Sequence, residues 1–524
     1  MSFALFLRSA TAAFLLAQAA VATAAPAPLP FEVETALQRA GVPRESMVAV
    51  VHEVGASAPR LAWQPQLPVN PASLMKLLTT TAALDLLGPA WSWTTPVWIQ
   101  GATLNGVLEG NLVIKGTGDP RFVQERLWLL LRRVQQLGVR EIRGDIVLDR
   151  SAFNLPPHDP AQFDNEPYRP SNVGPDALLL NYKSVLLTFT PDVARGIAIV
   201  SSEPPLSGVR IDLSVPLSNG VCDDWRGALR PDFNDPLRIR FLGHYAASCV
   251  EKQWPVAYAD PKSYNARALA GLWREMGGKL VGRVRDGLAP GDPPSFELSS
   301  PPLAELIRDI NKFSNNVMAQ QLFLTLALMQ RGVGTPDQAR DMMSMWLAER
   351  YGEDARGTVV DNGSGLSRDG RVTAQLLSRM LRSTFAGPVM PELMSSLPVT
   401  GIDGTMRRSR NSATGRAHLK TGSLRDVTGM AGYVLSAGGR RYVLVAIINH
   451  PNAAAARPAL EALVQWAASD IAPPLPPVPL PELPAELPPA AAPEPVSVPT
   501  PAPPPVPVPA SAPVPASPPE PDQD

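Results

Sequence analysis

Ser73 and Lys76 form a Ser-x-x-Lys motif whose residue types could supply a nucleophile and its base. The apolar run 77–87 predicts a helix, and the spacing puts both side chains on one face of it, one turn apart. A serine hydroxyl is a weak nucleophile until a base takes its proton, and a lysine can do so only when neutral. An ordinary lysine has a pKa of about 10.4, so burial, the helix N-terminus or a second cation must lower it. The alternative is an N-cap serine followed by a solvated lysine.

A second motif, Lys420, Thr421, Gly422 and Ser423, lies on the predicted strand 419–424. A lysine and a hydroxyl that point one way from a strand could bind a substrate carboxylate alongside the strand edge. The glycine between them and the next serine would let another backbone approach closely. The alternative is an ordinary exposed strand end that leads into a turn.

A third motif, Ser-x-Asn, is formed by Ser314 and Asn316 just before the predicted helix 317–329. This motif is the least specific of the three, because 263–265 and 409–411 match it as well. The last match lies too close to the Lys-Thr-Gly motif to form an independent wall of a site. The choice of the 314 position rests on its place in the chain and on the family resemblance given below.

The elements that must position these motifs come from both ends of the chain. Strands and helices at both termini imply one α+β domain with an antiparallel sheet and flanking helices. The predicted strands are 47–54, 60–63, 419–424, 430–435 and 442–448, and the predicted terminal helices are 31–41 and 458–469.

Between these ends, residues 96–263 have a different texture: short strand candidates are broken by Gly, Pro and Asp, with one clear helix at 122–137. We expect a mostly β insertion of two subdomains, which divides the catalytic domain into 25–95 and 264–471. The segment 472–524 is rich in proline and predicts an extended, disordered tail, either a spacer or a docking segment for an envelope partner.

The composition and the N-terminal segment indicate where the protein acts and which partners are disfavoured. Residues 1–24 have the order of a secretory signal peptide, and no later apolar run reaches membrane-spanning length without charges. We therefore expect export, to a periplasm or to the medium. The net charge of −1 gives no sign of nucleic-acid binding. Cys222 and Cys249 could pair in an oxidising compartment or stay as two buried thiols.

The three motifs in this order resemble the penicillin-binding protein and serine β-lactamase superfamily. The long gap between Ser73 and Ser314 is similar to that of the class C low-molecular-mass penicillin-binding proteins. These are the type 4 D-alanyl-D-alanine carboxypeptidases and endopeptidases, in which a large insertion follows the nucleophile helix. The stretches 110–120, 263–265 and 361–367 agree with this resemblance. It implies peptidoglycan as the substrate and β-lactam antibiotics as inhibitors.

The resemblance also implies a role for each motif residue. Ser73 would attack the carbonyl of the penultimate D-alanine, and Lys76 would accept its proton. Ser314 would pass that proton to the leaving amine. The remaining roles are orientation of the base by Asn316, binding of the terminal carboxylate by Lys420 and Thr421, and an oxyanion hole formed by the N–H groups of Ser73 and Ser423.

Two other interpretations stay open from the sequence. A serine β-lactamase would need fast deacylation, and the wide insertion speaks against it. A non-catalytic wall-binding scaffold has the tail as its positive hint, while the intact Ser73, Lys76 and Lys420 speak against it.

None of the five histidines forms a metal-ligand pair at helical or strand spacing, so we expect no metal and no cofactor, and a zinc carboxypeptidase is disfavoured.

Overall fold

A computed structural model describes residues 28–409 and 411–473. The predicted signal peptide, 1–24, and all but the first two residues of the predicted tail, 472–524, lie outside this range. Within it, the helices are, in chain order, α1 (Phe31–Arg39), α2 (Met75–Leu86), α3 (Gln124–Gln136), α4 (Trp225–Ala228), α5 (Tyr264–Glu275), α6 (Leu303–Lys312), α7 (Asn316–Arg331), α8 (Pro336–Tyr351), α9 (Ala374–Phe385), α10 (Met390–Ser396) and α11 (Arg457–Ala468).

The strands of the described residues form several separate sheets. In chain order they are β1 (Met47–Glu53), β2 (Leu61–Trp63), β3 (Thr94–Leu104), β4 (Val107–Lys115), β5 (Glu141–Ile142), β6 (Ile146–Asp149), β7 (Ser184–Asp192), β8 (Ile197–Glu203), β9 (Arg210–Ile211), β10 (Ser214–Ser218), β11 (Pro231–Asp232), β12 (Arg238–Phe241), β13 (Tyr245–Ala246), β14 (Lys252–Ala257), β15 (Lys279–Leu280), β16 (Val284–Asp286), β17 (Phe296–Ser299), β18 (Ala417–Leu424), β19 (Val427–Leu435) and β20 (Arg441–Asn449).

The first sheet joins the two ends of the chain in the order β18-β19-β20-β1-β2, and every neighbouring pair is antiparallel. Its central strands are buried on both faces, since side chains of a strand alternate between the faces. In β1, Val48 and Val50 pack with α2, α6, α7, α8 and α9, whereas Met47, Ala49 and Val51 pack with α1 and α11. The predicted α+β domain with an antiparallel sheet and flanking helices is confirmed.

The insertion between α2 and α6 is built mainly of strands. One part is a seven-stranded sheet of β3, β4, β5, β6, β15, β16 and β17. The other contains a five-stranded sheet in the order β13-β10-β8-β7-β14 and a three-stranded sheet in the order β11-β12-β9. Buried residues of α3, α5 and both larger sheets form one apolar cluster. Cys222 and Cys249 are joined in a disulfide with their Cα atoms 4.8 Å apart, so of the two alternatives the structure has the pair.

The end of the insertion differs from the expected boundary at residue 264. Helix α5 starts there, but its buried residues pack in the insertion cluster rather than on the catalytic sheet. The Tyr264 hydroxyl donates to the Ser184 carbonyl at 2.7 Å, and Asn265 Nδ2 donates to the Leu178 carbonyl at 2.7 Å. Strand β17 then pairs with β3, and the chain returns to the catalytic helices only with α6.

No helix of the described residues is both long and apolar enough to cross a membrane.

Candidate active site

Ser73 lies in a short 3-10 turn, 72–74, that leads directly into α2. The turn is held from outside, because Asn70 exchanges two hydrogen bonds with Asn449 at the end of β20, of 2.8 and 2.9 Å. Asn70 Oδ1 also accepts from Ala72 N at 2.8 Å, and Ala72 has a φ of +47°, in the left-handed region. Backbone strain of this kind persists only where the surroundings fix it. The result is a half-buried serine at the start of a buried helix.

Lys76 is fully buried, and its Nζ lies among three oxygen atoms. The distances are 2.6 Å to Asn316 Oδ1, 2.6 Å to the Ser364 carbonyl and 3.0 Å to Ser73 Oγ. Burial, and secondarily the charge of Lys420, hold the pKa of Lys76 well below its usual range. A neutral amine has two N–H groups and one lone pair. Because the amide and carbonyl oxygens can only accept, they take both N–H groups, and the lone pair is left for the hydroxyl of Ser73.

Asn316 is the first residue of α7, and the residue before it, Asn315, caps the N-terminus of that helix. Asn315 Oδ1 accepts from Met318 N at 3.1 Å, which leaves the Asn316 side chain available. Asn316 Nδ2 donates to the Ser171 carbonyl of the insertion at 3.0 Å. Since a carbonyl must receive the amide nitrogen, this contact fixes Oδ1 toward Lys76.

Lys420 is also fully buried and lies on β18, the edge strand of the catalytic sheet. Its Nζ donates to Ser314 Oγ at 2.8 Å and to the Thr421 carbonyl at 2.7 Å. Burial lowers the pKa of Lys420 to about 7. Ser314 itself has a φ of +58°, so a second residue of the cluster lies in the left-handed region.

Gly422 explains how β18 approaches the nucleophile turn so closely. A Cβ at this position would lie 2.6 Å from the Pro71 carbonyl oxygen, which is closer than real Cβ atoms approach. Leu419 N donates to the Pro398 carbonyl, away from β19, and alternate residues of a strand share that direction. The N–H of Ser423 therefore points to the open edge of β18, where Ser73 and Ser314 also line the cleft.

The cleft has a volume of about 670 Å³, and the insertion supplies one of its walls. This wall carries charge: Arg169 lies 3.3 Å from Asp164 and 3.2 Å from Glu166. Across the cleft, the guanidinium of Arg368 lies 4.6 Å from the ring centroid of Phe163. No sequence pattern singles out these residues, since most of them come from an irregular segment without periodicity.

The backbone carbonyl of Ser364 is a second part of the site that the motifs did not indicate. The loop 361–367, which agreed with the family resemblance, forms a tight turn and also lines the cleft through Gly365 and Leu366. Asn362 Oδ1 accepts from the backbone N–H of Ser364 and Gly365, at 3.0 and 3.2 Å. The turn that results aims the Ser364 carbonyl at Lys76. The density of glycine and asparagine was the signal that could have indicated this role.

The structure thus brings the eight predicted site residues together, although their roles stay predictions. Among the residues described, no group of three or more His, Cys, Asp or Glu side chains could hold a metal ion. Two buried lysines, a serine at a helix start and an edge strand beside it are the groups that a serine acyl-transfer site needs, here on an α+β fold.

Comparison with known proteins gives the family. Residues 31–470 match the model of the D-Ala-D-Ala carboxypeptidase 3 (S13) family, and the chain belongs to this family. It is therefore a serine-type D-alanyl-D-alanine carboxypeptidase/endopeptidase of the penicillin-binding kind, as the motif order had suggested.

Individual relatives agree with this assignment. The chain is 25% identical over 397 residues to the D-alanyl-D-alanine carboxypeptidase DacB of Haemophilus influenzae, an alignment that covers 72% of this chain and 80% of the relative. It is 27% identical over 389 residues to a D-alanyl-D-alanine carboxypeptidase of Actinomadura sp. strain R39, with 70% of each chain covered. The crystal structure of penicillin-binding protein 4 from Haemophilus influenzae has a TM-score of 0.65 at 23% identity, covering 82% of this chain and 99% of the other.

Proposed function

We propose that the family's activity resides in the cluster around Ser73, and that this cluster hydrolyses D-alanyl peptide bonds of peptidoglycan through an acyl-enzyme. The observation that carries the proposal is the environment of Lys76. Two acceptors occupy both N–H groups of the neutral amine, and Lys76 Nζ lies 3.0 Å from Ser73 Oγ, which leaves the lone pair of the amine for the serine hydroxyl. This is the arrangement that a general base for a serine nucleophile requires.

The proposed reaction has two steps. Ser73 Oγ bonds to the carbonyl carbon of the penultimate D-alanine while Lys76 takes the hydroxyl proton. The carbon–nitrogen bond breaks, and the proton reaches the leaving amine through Ser314. Lys420 and Thr421 hold the carboxylate, and the N–H groups of Ser73 and Ser423 stabilise the oxyanion. Water then hydrolyses the ester and restores Ser73.

We further propose that the protein is exported, to a periplasm or to the medium, and that β-lactams acylate Ser73. The signal-peptide order of residues 1–24 supports export, although these residues lie outside the described range. For β-lactams, the support comes from relatives. One structure of penicillin-binding protein 4 from Haemophilus influenzae is a complex with a β-lactam, and a relative in Dictyostelium discoideum is named a penicillin-sensitive carboxypeptidase. An envelope partner for the predicted tail stays a prediction.

The test of the nucleophile is labelling with a fluorescent penicillin. We expect the wild type to be labelled, Ser73→Ala to be unlabelled, and the exposed Ser395→Ala on α10 to be labelled like the wild type. Labelling that survives Ser73→Ala would remove the nucleophile assignment.

Digestion of purified peptidoglycan tests the reaction class. Release of D-alanine or of monomeric muropeptides is the expected result. Rapid turnover of penicillin would instead indicate a β-lactamase, and neither activity would indicate a scaffold.

A further inference from the structure

A second cavity, of about 480 Å³, lies next to the catalytic cluster and plays no part in the chemistry described above. Its walls come from the C-terminal end of α6 and from the loop that follows α10. We call it the Phe313 pocket, after the exposed aromatic residue at its rim. It shares no lining residue with the catalytic cleft.

Two connections join the Phe313 pocket to the catalytic cluster. Phe313 directly precedes Ser314, whose Oγ receives a hydrogen bond from Lys420 at 2.8 Å. On the other wall, Thr405 follows the pocket residue Gly404 in the chain, and Thr421 Oγ1 lies 2.8 Å from Thr405 Oγ1. The pocket therefore adjoins the proposed carboxylate clamp, through Phe313 beside Ser314 and through Thr405 beside Thr421.

The pocket combines exposed apolar surface with positive charge. Phe313 is 69% exposed and Ile402 is 57% exposed, which is unusual for two large apolar side chains on one rim. The charge of Lys312 is already paired, because its Nζ lies 2.6 Å from Asp403 Oδ2. The pocket also contains two carboxylates, but Asp403 is paired with Lys312, and Asp309 lies 3.4 Å from Arg121. Arg308 and Arg407 form no ion pair among the described residues, and Arg308 makes one long hydrogen bond, of 3.4 Å, to the Ser395 carbonyl. These two guanidinium groups are thus available to an anionic ligand.

The order of groups along a substrate determines what reaches this pocket. If Lys420 and Thr421 hold the carboxylate next to the leaving amine, any further part of the leaving residue extends past Ser314 and away from Ser73. A terminal D-alanine ends there, with only a methyl group. The leaving half of a cross-link is a second stem peptide, which continues with aliphatic carbon and with further carboxylates.

We propose that the Phe313 pocket is the subsite for the leaving stem peptide of a cross-linked substrate. Arg308 and Arg407 would pair with its carboxylates, and Phe313 and Ile402 would cover its aliphatic part. The inference rests on the proposed function, and what it adds is a binding place for the leaving half of a cross-link beside the same catalytic groups. The bonds made and broken are those of the carboxypeptidase reaction, and the leaving amine takes the proton in both.

The test compares two purified substrates on the full chain: a monomeric muropeptide that ends in D-alanyl-D-alanine, and a cross-linked dimer. For Arg407→Ala we expect kcat/KM on the dimer to fall about 10-fold, equivalent to about 1.4 kcal/mol, mainly through KM. Release of D-alanine from the monomer should stay within about twofold of wild type. Phe313→Ala should show the same selectivity without a change of charge, and Arg407→Lys should recover part of the loss.

Arg195→Ala is the matched control, since its side chain is 68% exposed in the turn between β7 and β8 and lines neither the cleft nor the Phe313 pocket. Fluorescent penicillin labelling of each variant reports an intact catalytic cluster. Equal losses on both substrates, or no loss on the dimer, would overturn the subsite assignment. Cleavage of the monomer alone by the wild type would overturn it too. A wild type that is neither labelled nor active on either substrate would instead remove the proposed function, and this inference with it.

Discussion

At the scale of single residues, the proposed roles require opposite charge states of two buried lysines. As the proposed base, Lys76 must be neutral to accept the serine proton, whereas Lys420 must be charged to hold a carboxylate as proposed. Burial lowers the pKa of both, and the charge of Lys420 lowers that of Lys76 further. A positive Lys420 thus favours the form of Lys76 that the reaction needs. Each lysine has its own carbonyl and hydroxyl partners, which separates the two roles in space.

Lys76→Arg tests the requirement for a neutral base. Arginine cannot be deprotonated in proteins, so it keeps the charge but cannot accept the proton of Ser73. We expect the rate of penicillin acylation to fall about 10²- to 10⁴-fold, the usual contribution of a general base. Stopped-flow or gel-based labelling measures this rate, and Lys262→Arg, at an exposed position, is the control. Acylation at the wild-type rate would exclude Lys76 as the base.

The pH dependence of kcat/KM tests the two charge states together. The free enzyme gains activity as Lys76 loses its proton, at a pH well below that of an ordinary lysine. It loses carboxylate binding as the pH rises through the pKa of Lys420, at about 7. We expect a bell-shaped profile on a peptide ending in D-alanyl-D-alanine. Lys420→Met should lower activity throughout and remove the alkaline decline. A wild-type profile that does not decline above about pH 7 would contradict the role of Lys420.

At the scale of elements, the nucleophile turn is positioned by three neighbours rather than by its own helix. Asn449 at the end of β20 fixes Asn70, Gly422 of β18 lies against Pro71, and the loop 361–367 closes over Ala72. In this loop Gly365 has a φ of +77°, and a Cβ there would lie 1.9 Å from the Ala72 carbonyl oxygen. The turn therefore depends on a glycine that lies nearly 300 positions further along the chain. Asn70 also contacts this loop, because its Nδ2 donates to the carbonyl of Ser367, 297 residues away.

Gly365→Ala should disturb the nucleophile turn more than an alanine at another glycine position of similar positive φ, because its Cβ would also meet Ala72. The matched control is Gly357→Ala, with a φ of +76° and its nearest atom, Pro68 Cγ, at 3.9 Å. Both variants have the left-handed conformation, but only the first displaces Ala72. We expect Gly365→Ala to be less stable than the control by about 1–3 kcal/mol, the usual cost of overpacking, and to be acylated more slowly. Chemical denaturation and penicillin labelling measure the two effects. Equal behaviour of the two variants would show that the loop does not position Ser73.

At the scale of the whole molecule, the insertion is joined to the catalytic helices by buried polar contacts. Gln321 of α7 is fully buried, and its amide exchanges two hydrogen bonds with the backbone of Asp176, of 3.0 and 2.8 Å. The Asp176 carboxylate in turn lies 2.7 Å from Lys183 and 3.1 Å from Arg150. Together with the contact between Asn316 and Ser171, these bonds place the insertion wall over the cleft. The insertion is thus part of the site and not an appendage.

Gln321→Leu tests this junction. The leucine keeps the apolar volume but leaves the N–H and C=O of Asp176 without partners, and an unsatisfied buried group costs about 1–3 kcal/mol. We expect a lower free energy of unfolding, measured by chemical denaturation, with slower acylation at Ser73. The control is Gln338→Leu, because the buried amide oxygen of Gln338 has no hydrogen-bond partner among the described residues. Equal stability of the two variants would show that the junction contributes little.

The sequence by itself determined the catalytic motifs, the terminal strands and helices, and the existence of an inserted module. These features follow from local rules: a helical run after Ser73, apolar and β-branched runs in β1 and β20, and residue types that suit acyl transfer. The order of the motifs suggested the family, and the family match confirmed that resemblance. Local rules were sufficient because each of these features lies within one segment of chain.

Only the tertiary structure decided where the insertion ends, which carbonyl holds Lys76, and what lies beyond the carboxylate clamp. The amphipathic pattern of α5 shows which face is buried but not which core buries it, and so the expected boundary at 264 differs from the structure. The low pKa of Lys76 comes from burial and from Lys420, 344 positions away in the printed sequence. The Phe313 pocket likewise joins α6 to a loop near residue 404. Burial and contacts between distant segments are properties of packing, which local sequence patterns do not encode.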